Sequence, residues 1–444
     1  ASTTQLTVTI PTGAQYEKIT VINKTTGLAR QSEKPFNPTF DGGGKIIPSS
    51  FGLPVNLPAG SDYGAANADD FLSVGDVDGD GWADLISTDA GNSITIYRNL
   101  GTGGELTTAS FAPKFTLTGA GNRVATKTID LDGDGKLDIA TGYYVNDFNT
   151  GFATYRNIST PGNLAFEPAE RWPGLAYSAI LSSVVDVDGD GRADLLGRGT
   201  AGSAEVDFWI AQNISTPGNI DFGASRSYFG NAINGVNRIV DADLDNDGKP
   251  ELIIVSGEIN IAKNNSVPGS ISFSTPFEII PGNGQGLYGC VNVADFNLDG
   301  KMDLAWKHGF ANDDVHIRIN TNTGGALAAT DFDTEVILDS ELMYYGGISI
   351  ADINGDGKPD IIATDDADVG VFENTYTGGV FDANAFAKAH QLQGISTFTY
   401  PKTPVVADLN GDEKPELILY HTGSATDYVS IYENKNIHTP VISL

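Results

Sequence analysis

The 444-residue chain has one cysteine, Cys290. It can form no internal disulfide, and its setting in Gly289-Cys-Val-Asn-Val-Ala-Asp is that of a small buried strand residue. There are two methionines and no long run of helical periodicity. With 53 glycines and abundant Thr, Ser and Asn, that excludes a helical bundle and points to an all-β chain. No stretch approaches the roughly twenty apolar residues of a membrane-spanning helix. No signal peptide precedes Ala1, and a chain opening there reads as the mature end of an exported protein. Lys and Arg number 26 against 57 Asp and Glu, a net charge of −31, which argues against binding nucleic acid or an anionic membrane through bulk charge. The five histidines, His308, His316, His390, His421 and His438, are scattered, with no H-E-x-x-H, Gly-x-Ser-x-Gly or P-loop motif.

What the chain does have is a nine-residue acidic pattern, D-x-D/N-x-D-G-x-x-D/E, repeated seven times. The copies begin at Asp76, Asp130, Asp186, Asp243, Asp295, Asp352 and Asp408, spaced 52 to 57 residues apart. So regular a period means one supersecondary unit repeated seven times. Oxygen side chains at positions 1, 3, 5 and 9, with a backbone carbonyl at position 7, are the donor set of a hard cation such as Ca²⁺. The side-chain ligands are Asp76, Asp78, Asp80 and Asp84; Asp130, Asp132, Asp134 and Asp138; Asp186, Asp188, Asp190 and Asp194; and Asp243, Asp245, Asp247 and Glu251. In the last three copies Asn takes position 3: Asp295, Asn297, Asp299 and Asp303; Asp352, Asn354, Asp356 and Asp360; Asp408, Asn410, Asp412 and Glu416. Up to seven Ca²⁺ are expected. The seventh loop is the weakest, because Glu413 replaces the position-6 glycine that gives the turn its positive φ.

An EF-hand would need Glu at position 12 between helices. Position 12 here is Ser87, Thr141, Gly197, Ile254, Trp306, Ala363 and Leu419, and the flanking runs, such as Leu181-Ser-Ser-Val-Val and Glu251-Leu-Ile-Ile-Val, are strands. The loop therefore sits in a β-hairpin. One such stretch alone would also read as an ordinary Asp-Gly turn, but seven copies that all keep the ninth-position carboxylate favour metal. The loops hold 25 of the carboxylates, and without them the net charge falls to −6. The acidity is mostly ligand, and folding is expected to depend on Ca²⁺.

After each loop comes a buried strand, then a strand ending in Asn (Ile94-Thr-Ile-Tyr-Arg-Asn, Val429-Ser-Ile-Tyr-Glu-Asn), then a Phe-led strand (Ser110-Phe, Ser272-Phe), then the strand entering the next loop. Four strands per unit of about 55 residues make a β-propeller blade, and seven blades close a ring. The seventh unit lacks its outer strand, which reappears at the front near residues 49 to 60. The expectation is a propeller over residues 45–444 closed by that N-terminal strand. Residues 1–44, with strands Gln5-Leu-Thr-Val-Thr-Ile and Lys18-Ile-Thr-Val-Ile-Asn, form a separate short β segment.

These loops in seven β units resemble the FG-GAP/VCBS repeat family, which includes the integrin α-subunit propeller and calcium-bearing fungal propeller lectins. The integrin-type Phe-Gly and Gly-Ala-Pro signatures are poorly kept, so the match is to the wider bacterial-type repeat. The front segment, Thr7-Val-Thr-Ile-Pro-Thr-Gly-Ala through Pro35-Phe-Asn-Pro-Thr-Phe, is similar to the last strands of an immunoglobulin-like TIG domain, which implies one piece of a larger surface protein.

The resemblance implies metal loops on one face and a ligand face opposite. Tyr177, Tyr288, Tyr344, Tyr345 and Tyr400 precede the innermost strands, and Tyr143, Tyr144, Phe148, His308, Phe310 and His421 lie on the second-to-third-strand loops. Such aromatics suit sugar stacking or a protein hot spot; the alternative is that they pack between blades. The reading is an extracellular, calcium-stabilised adhesion module for a glycan or cell-surface protein, with no nucleic-acid partner and no membrane insertion. A lyase-type polysaccharide enzyme using Tyr144, His308 or His421, and a structural spacer, are the alternatives.

Overall fold

The computed structural model describes residues 14–15, 17–22, 29–40, 44–58, 72–89, 93–119, 122–146, 149–173, 180–198, 208–229, 236–280, 290–307, 314–339, 346–364, 368–387, 390–391, 400–401, 403–422 and 428–436. They form a seven-bladed propeller of antiparallel four-stranded sheets, preceded by a hairpin of Glu17–Ile22 on Ala29–Phe36. No helix among them is long and apolar enough to cross a membrane.

Blade 1 comprises Leu72–Gly75, Asp84–Asp89, Ser93–Tyr97 and Phe115–Thr118, from the axis outward in chain order, and blades 2 to 6 repeat that order. Blade 7 is shared between the two ends of the described chain. Its Tyr428–Tyr432 strand pairs with Val55–Pro58, in the register Val55 to Ile431 and Pro58 to Tyr428. The predicted closing strand is therefore in place, and the Tyr97 hydroxyl of blade 1 donates to the Pro58 carbonyl across the seam.

Burial explains why strand patterns change with radius. A second strand lies between two neighbouring blades, so Glu251–Val255 and Asp303–Lys307 are buried throughout and do not alternate. An outer strand meets water on one side, and Val55–Pro58 and Phe115–Thr118 expose their second and fourth residues. The apolar residues form seven clusters, one at each blade–blade interface. Val77, Ile86, Ile94 and Ile96 of blade 1 meet Ile139, Tyr143, Ala153 and Tyr155 of blade 2, and Leu57, Ile418, Tyr420 and Ile431 of blade 7 meet Leu85, Tyr97 and Phe111 of blade 1. A fully buried Ile or Leu is worth about 1.5–3 kcal/mol, and that value is realised only when the next blade is present.

The Phe-led outer strand needs a correction. Phe51, Phe111, Phe166, Phe222, Phe273, Phe332 and Phe386 each make a single bridge to the Asn that ends the third strand, and the outer strand itself starts four residues later. In the front segment, the predicted strand at Lys18 is one arm of the hairpin, and Gln5 to Ile10 lie outside the described residues. Beyond the hairpin the chain crosses the loop of blade 6. Asn37 Nδ2 donates to the Gly357 carbonyl (3.3 Å), Phe40 lies over Gly355, and the Ile46 N–H donates to Glu373 (3.4 Å).

Candidate metal centres

Each acidic loop joins the innermost strand of its blade to the second, as the hairpin reading requires. The loop is wound around its own first carboxylate. Asp76 Oδ1 accepts the N–H of Gly79 (2.8 Å) and Asp80 (3.1 Å), and Oδ2 accepts that of Gly81 (2.8 Å). Asp78 and Asp80 each accept an N–H two residues ahead. Asp84 accepts Val77 N–H (3.0 Å) on one oxygen and Asn99 N–H (2.8 Å) on the other. Asp130, Asp186, Asp243, Asp295, Asp352 and Asp408 organise the other six loops in the same way.

The loops demand two left-handed residues, at positions 4 and 6. Position 6 was expected. Position 4 carries Gly79, Gly133, Gly189, Gly355 and Gly411, but Asn246 and Leu298 adopt φ of 59° there, and Glu413 at position 6 of loop 7 has φ 69°. Loop 7 still closes, with Glu413 N–H on Asp408 (3.0 Å) and Leu409 N–H on Glu416 (2.7 Å). Position 2 anchors the loop in the core: Val77, Leu131, Val187, Leu244, Phe296, Ile353 and Leu409 are all buried.

Among the described residues, four sets fit a hard cation on geometry. Asp76, Asp78 and Asp84 offer carboxylate oxygens all within 4.8 Å of one another, as do Asp130, Asp132 and Asp138, and Asp186, Asp188 and Asp194. Asp243, Asp245 and Glu251 make a fourth such set. Loops 5 to 7 put Asn297, Asn354 and Asn410 at position 3, an amide oxygen in place of a carboxylate. Fully buried ninth-position carboxylates are the second sign of fit. Burial pushes the Asp84, Asp138 and Glu251 carboxyls up to about 8 against the N–H bonds that lower them, and Asp194, Asp303, Asp360 and Glu416 are raised for the same cause. Such a group is stable only with a proton or a cation beside it, and each N–H-bound oxygen keeps a lone pair to offer. An all-oxygen, carboxylate-rich set suits Ca²⁺ or Mg²⁺ over softer metals.

Two features of the loops escaped the sequence reading. The residue before the recurrent Asn clasps position 3, and its polarity follows that position. Arg98 reaches Asp78 (3.3 Å) and Asp80 (3.2 Å), Arg156 reaches Asp132 (2.6 Å) and Asp134 (2.7 Å), Gln212 donates to Asp188 (2.6 Å), and Lys263 pairs with Asp245 and Asp247. In two of the three loops where position 3 is an amide, an acceptor faces it: Asn354 donates to Glu373 (3.3 Å) and Asn410 to Glu433 (3.4 Å), while in loop 5 the apolar Ile319 takes that place. The alternation Arg, Arg, Gln, Lys, then Ile, Glu, Glu was visible in the sequence beside Asp, Asp, Asp, Asp, Asn, Asn, Asn.

The second feature is the recurrent Asn itself. Asn157 of blade 2 donates from Nδ2 to the Val77 carbonyl in the loop of blade 1 (2.7 Å). Asn213, Asn264, Asn320, Asn374 and Asn434 reach the position-2 carbonyls of Leu131, Val187, Leu244, Phe296 and Ile353 in the same way. Asn99 closes the ring on Leu409 (2.7 Å). All seven interfaces are stapled by one buried side chain each.

The predicted ligand-face residues divide three ways. Tyr177, Tyr288, His308, Tyr344 and Tyr345, with Phe148 and Phe310, lie outside the described residues. The backbones of Tyr144 and Tyr400 sit at strand ends away from the metal loops, Tyr400 pairing with Thr422 and Tyr144 with Asn122. Tyr143 and His421 are buried, at 1% exposure each. Tyr143 packs between blades 1 and 2 beneath the Arg171 guanidinium, 5.2 Å from its ring centre, so the packing alternative holds for it. His421 stacks on Tyr428 at 4.5 Å, and burial pushes it down to about 4, keeping the ring neutral. Neither ring presents a face for stacking on a ligand.

A family model described as FG-GAP-like repeat matches residues 76–141, 186–254, 243–306 and 352–419, together more than half of the chain. No curated protein matches the chain. Among solved structures, an Agrocybe aegerita lectin, described as recognising non-reducing terminal N-acetylglucosamine, is 18% identical over 77% of this chain and 90% of its own, with a TM-score of 0.50. BBS1N, solved in complex with ARL6DN, is 14% identical over 88% of this chain and 99% of its own, with a TM-score of 0.52. At these identities the likeness is one of fold.

Proposed function

The chain belongs to the FG-GAP-like repeat family, and on that premise we propose that it is an extracellular binding module, stabilised by Ca²⁺ in its seven loops, that recognises a glycan or a cell-surface protein. The carrying observation is the burial of every ninth-position carboxylate inside a closed hydrogen-bond frame. A cation held there is shielded and serves the scaffold, which leaves recognition to the opposite face. Propellers of similar fold are described with a sugar and with a protein partner, and a rigid, concave face suits either kind of ligand. Millimolar extracellular calcium matches sites of this type, and the hairpin at residues 17–36 fits the tail of a preceding immunoglobulin-like TIG domain in a larger surface protein.

The test is a glycan array probed with the purified chain in millimolar Ca²⁺ and again after chelation, beside Tyr345→Ala and Tyr400→Ala variants checked for fold by circular dichroism. Saturable, sugar-specific signal that the variants lose supports the reading. Unchanged affinity in folded variants removes the face from consideration, and release of unsaturated sugar ends from an acidic polysaccharide would replace the binding module with a lyase.

A further inference from the structure

The seven Asn staples join the metal loops into a chain of contacts around the ring. In loop 3, the ninth-position Asp194 holds the Val187 N–H (3.1 Å), and the Val187 carbonyl accepts Nδ2 of Asn264 from blade 4 (2.9 Å). The N–H of Asn264 donates to Glu251, the ninth-position carboxylate of loop 4 (3.4 Å). Glu251 in turn holds Leu244, whose carbonyl accepts from Asn320 (2.7 Å), and the Asn320 N–H donates to Asp303 of loop 5 (2.8 Å). The same three links recur at the remaining interfaces except at the entry to loop 7, where Asn434 reaches the Ile353 carbonyl but Glu416 Oε1 accepts no hydrogen bond; from Leu409 the run continues through Asn99 to Asp84. At three interfaces a second link is direct. The N–H groups of Gly162, Gly218 and Gly269 donate to the third-position carboxylates of the preceding blade's loop, Asp78 (3.0 Å), Asp132 (3.1 Å) and Asp188 (2.9 Å).

We propose that this chain of contacts makes the seven loops a cooperative unit, in which filling one loop with Ca²⁺ raises the affinity of the loops on either side. A carboxylate that ligates a cation is fixed in place and orientation. Here the fixed group also holds the position-2 peptide of its own loop, and that peptide holds the Asn whose backbone is bound to the next ligand carboxylate. Every link is a backbone group, a short amide or a ninth-position carboxylate, all buried, and five of the seven carboxylates are the short Asp, which leaves little slack to absorb the ordering. Order imposed at one loop therefore lowers the entropy cost of ordering its neighbour, which is positive coupling without any change of fold. The inference rests on the metal reading of the loops, and its test separates the two.

Trp82 at position 7 of loop 1 supplies a local reporter, since an indole beside a bound lanthanide sensitises its luminescence. The metal-free full chain is titrated with terbium in about 0.3 M KCl, which screens bulk charge, and the signal component lost in Trp82→Phe is assigned to loop 1. Loop 2 is then disabled by Asp130→Asn with Asp132→Asn, which leaves every Asn staple in place. Coupling predicts at least fivefold weaker terbium binding at loop 1, and a smaller loss when loop 4 is disabled instead by Asp243→Asn with Asp245→Asn. Adding Asn157→Asp, which keeps the side-chain shape and removes both Nδ2 donors, should reduce the dependence on loop 2. Loop 1 affinity unchanged by the loss of loop 2 overturns the proposal while leaving metal binding intact. Absence of any terbium or calcium uptake by the wild-type chain overturns the metal reading itself.

Discussion

The buried ninth-position carboxylates set a pH dependence that reverses with metal. In the metal-free protein the Asp84, Asp138 and Glu251 carboxyls stand at about 8, while the unfolded chain has ordinary carboxylates. Between those two values the native state holds more protons than the unfolded state, so stability falls as pH rises and levels off above about 8. One pKa unit is about 1.4 kcal/mol, and a group at about 8 is already half protonated at pH 8, so moving to pH 6.5 should stabilise the metal-free fold by about 1.6 kcal/mol per group, or roughly 5 kcal/mol for the three. With an unfolding entropy near 2.1 cal/mol/K per residue, that is a rise of about 5 °C in melting temperature for a chain of this length. The window stops at 6.5 because His421, pushed down to about 4, works the other way below it: the unfolded state protonates first, and stability is lost as pH falls.

Calcium must displace those protons, so its stabilising effect should grow from pH 6.5 to 8, and binding at pH 7 should release protons. Scanning calorimetry on protein freed of metal over a chelating resin, with and without millimolar Ca²⁺, reads both slopes. A metal-free melting temperature that is flat or falls as pH drops from 8 to 6.5 refutes the assignment of the carboxylates as desolvated ligands. So does a calcium-induced rise that is the same at both ends.

Three further outcomes follow from local geometry. Glu413→Gly removes a left-handed non-glycine residue, a strain of about 1–2 kcal/mol, partly offset by glycine's unfolded-state entropy, so the urea midpoint should rise by an amount equivalent to at most about 1 kcal/mol; a lower midpoint contradicts it. At Gly355, a Cβ would lie 2.7 Å from the Phe40 carbonyl oxygen and 2.8 Å from its ring. Gly355→Ala should therefore weaken the docking of Asn37, Phe40 and Ile46 on blade 6 and speed tryptic cleavage after the exposed Lys45, with the main calorimetric transition preserved; an unchanged cleavage rate argues against the docking. Deleting residues 1–58 removes the closing strand and leaves Tyr428–Tyr432 as an open edge, so the truncated chain should oligomerise in size-exclusion chromatography, where a stable monomer would show that blade 7 does not need Val55–Pro58.

What could be read from the chain without its fold is what depends on contiguous residues. A metal loop must place its donors within nine positions, so Asp76 to Asp84 announces itself, and seven copies fix the blade count. The closing strand was legible for a related reason: a four-strand repeat that ends one strand short must recover it elsewhere, and the match at residues 49 to 60 was local. The Asn staples failed that test. Asn157 and Val77 are 80 residues apart and Asn99 and Leu409 are 310 apart, and nothing near Asn157 says that its amide reaches another blade. Only the period hints at it, because an Asn that recurs at one strand end in all seven units must answer a demand every unit makes. Tyr143 shows the converse limit. It was expected on the loop between the second and third strands and lies instead within the second strand, Asp138–Asn146, paired with Gly151; side chains in a strand point alternately to opposite faces, and in a propeller both faces of a blade are interfaces. An aromatic residue near a strand end therefore counts as a ligand-face candidate only where it extends past the last residue that the neighbouring blade covers, and Tyr143 does not.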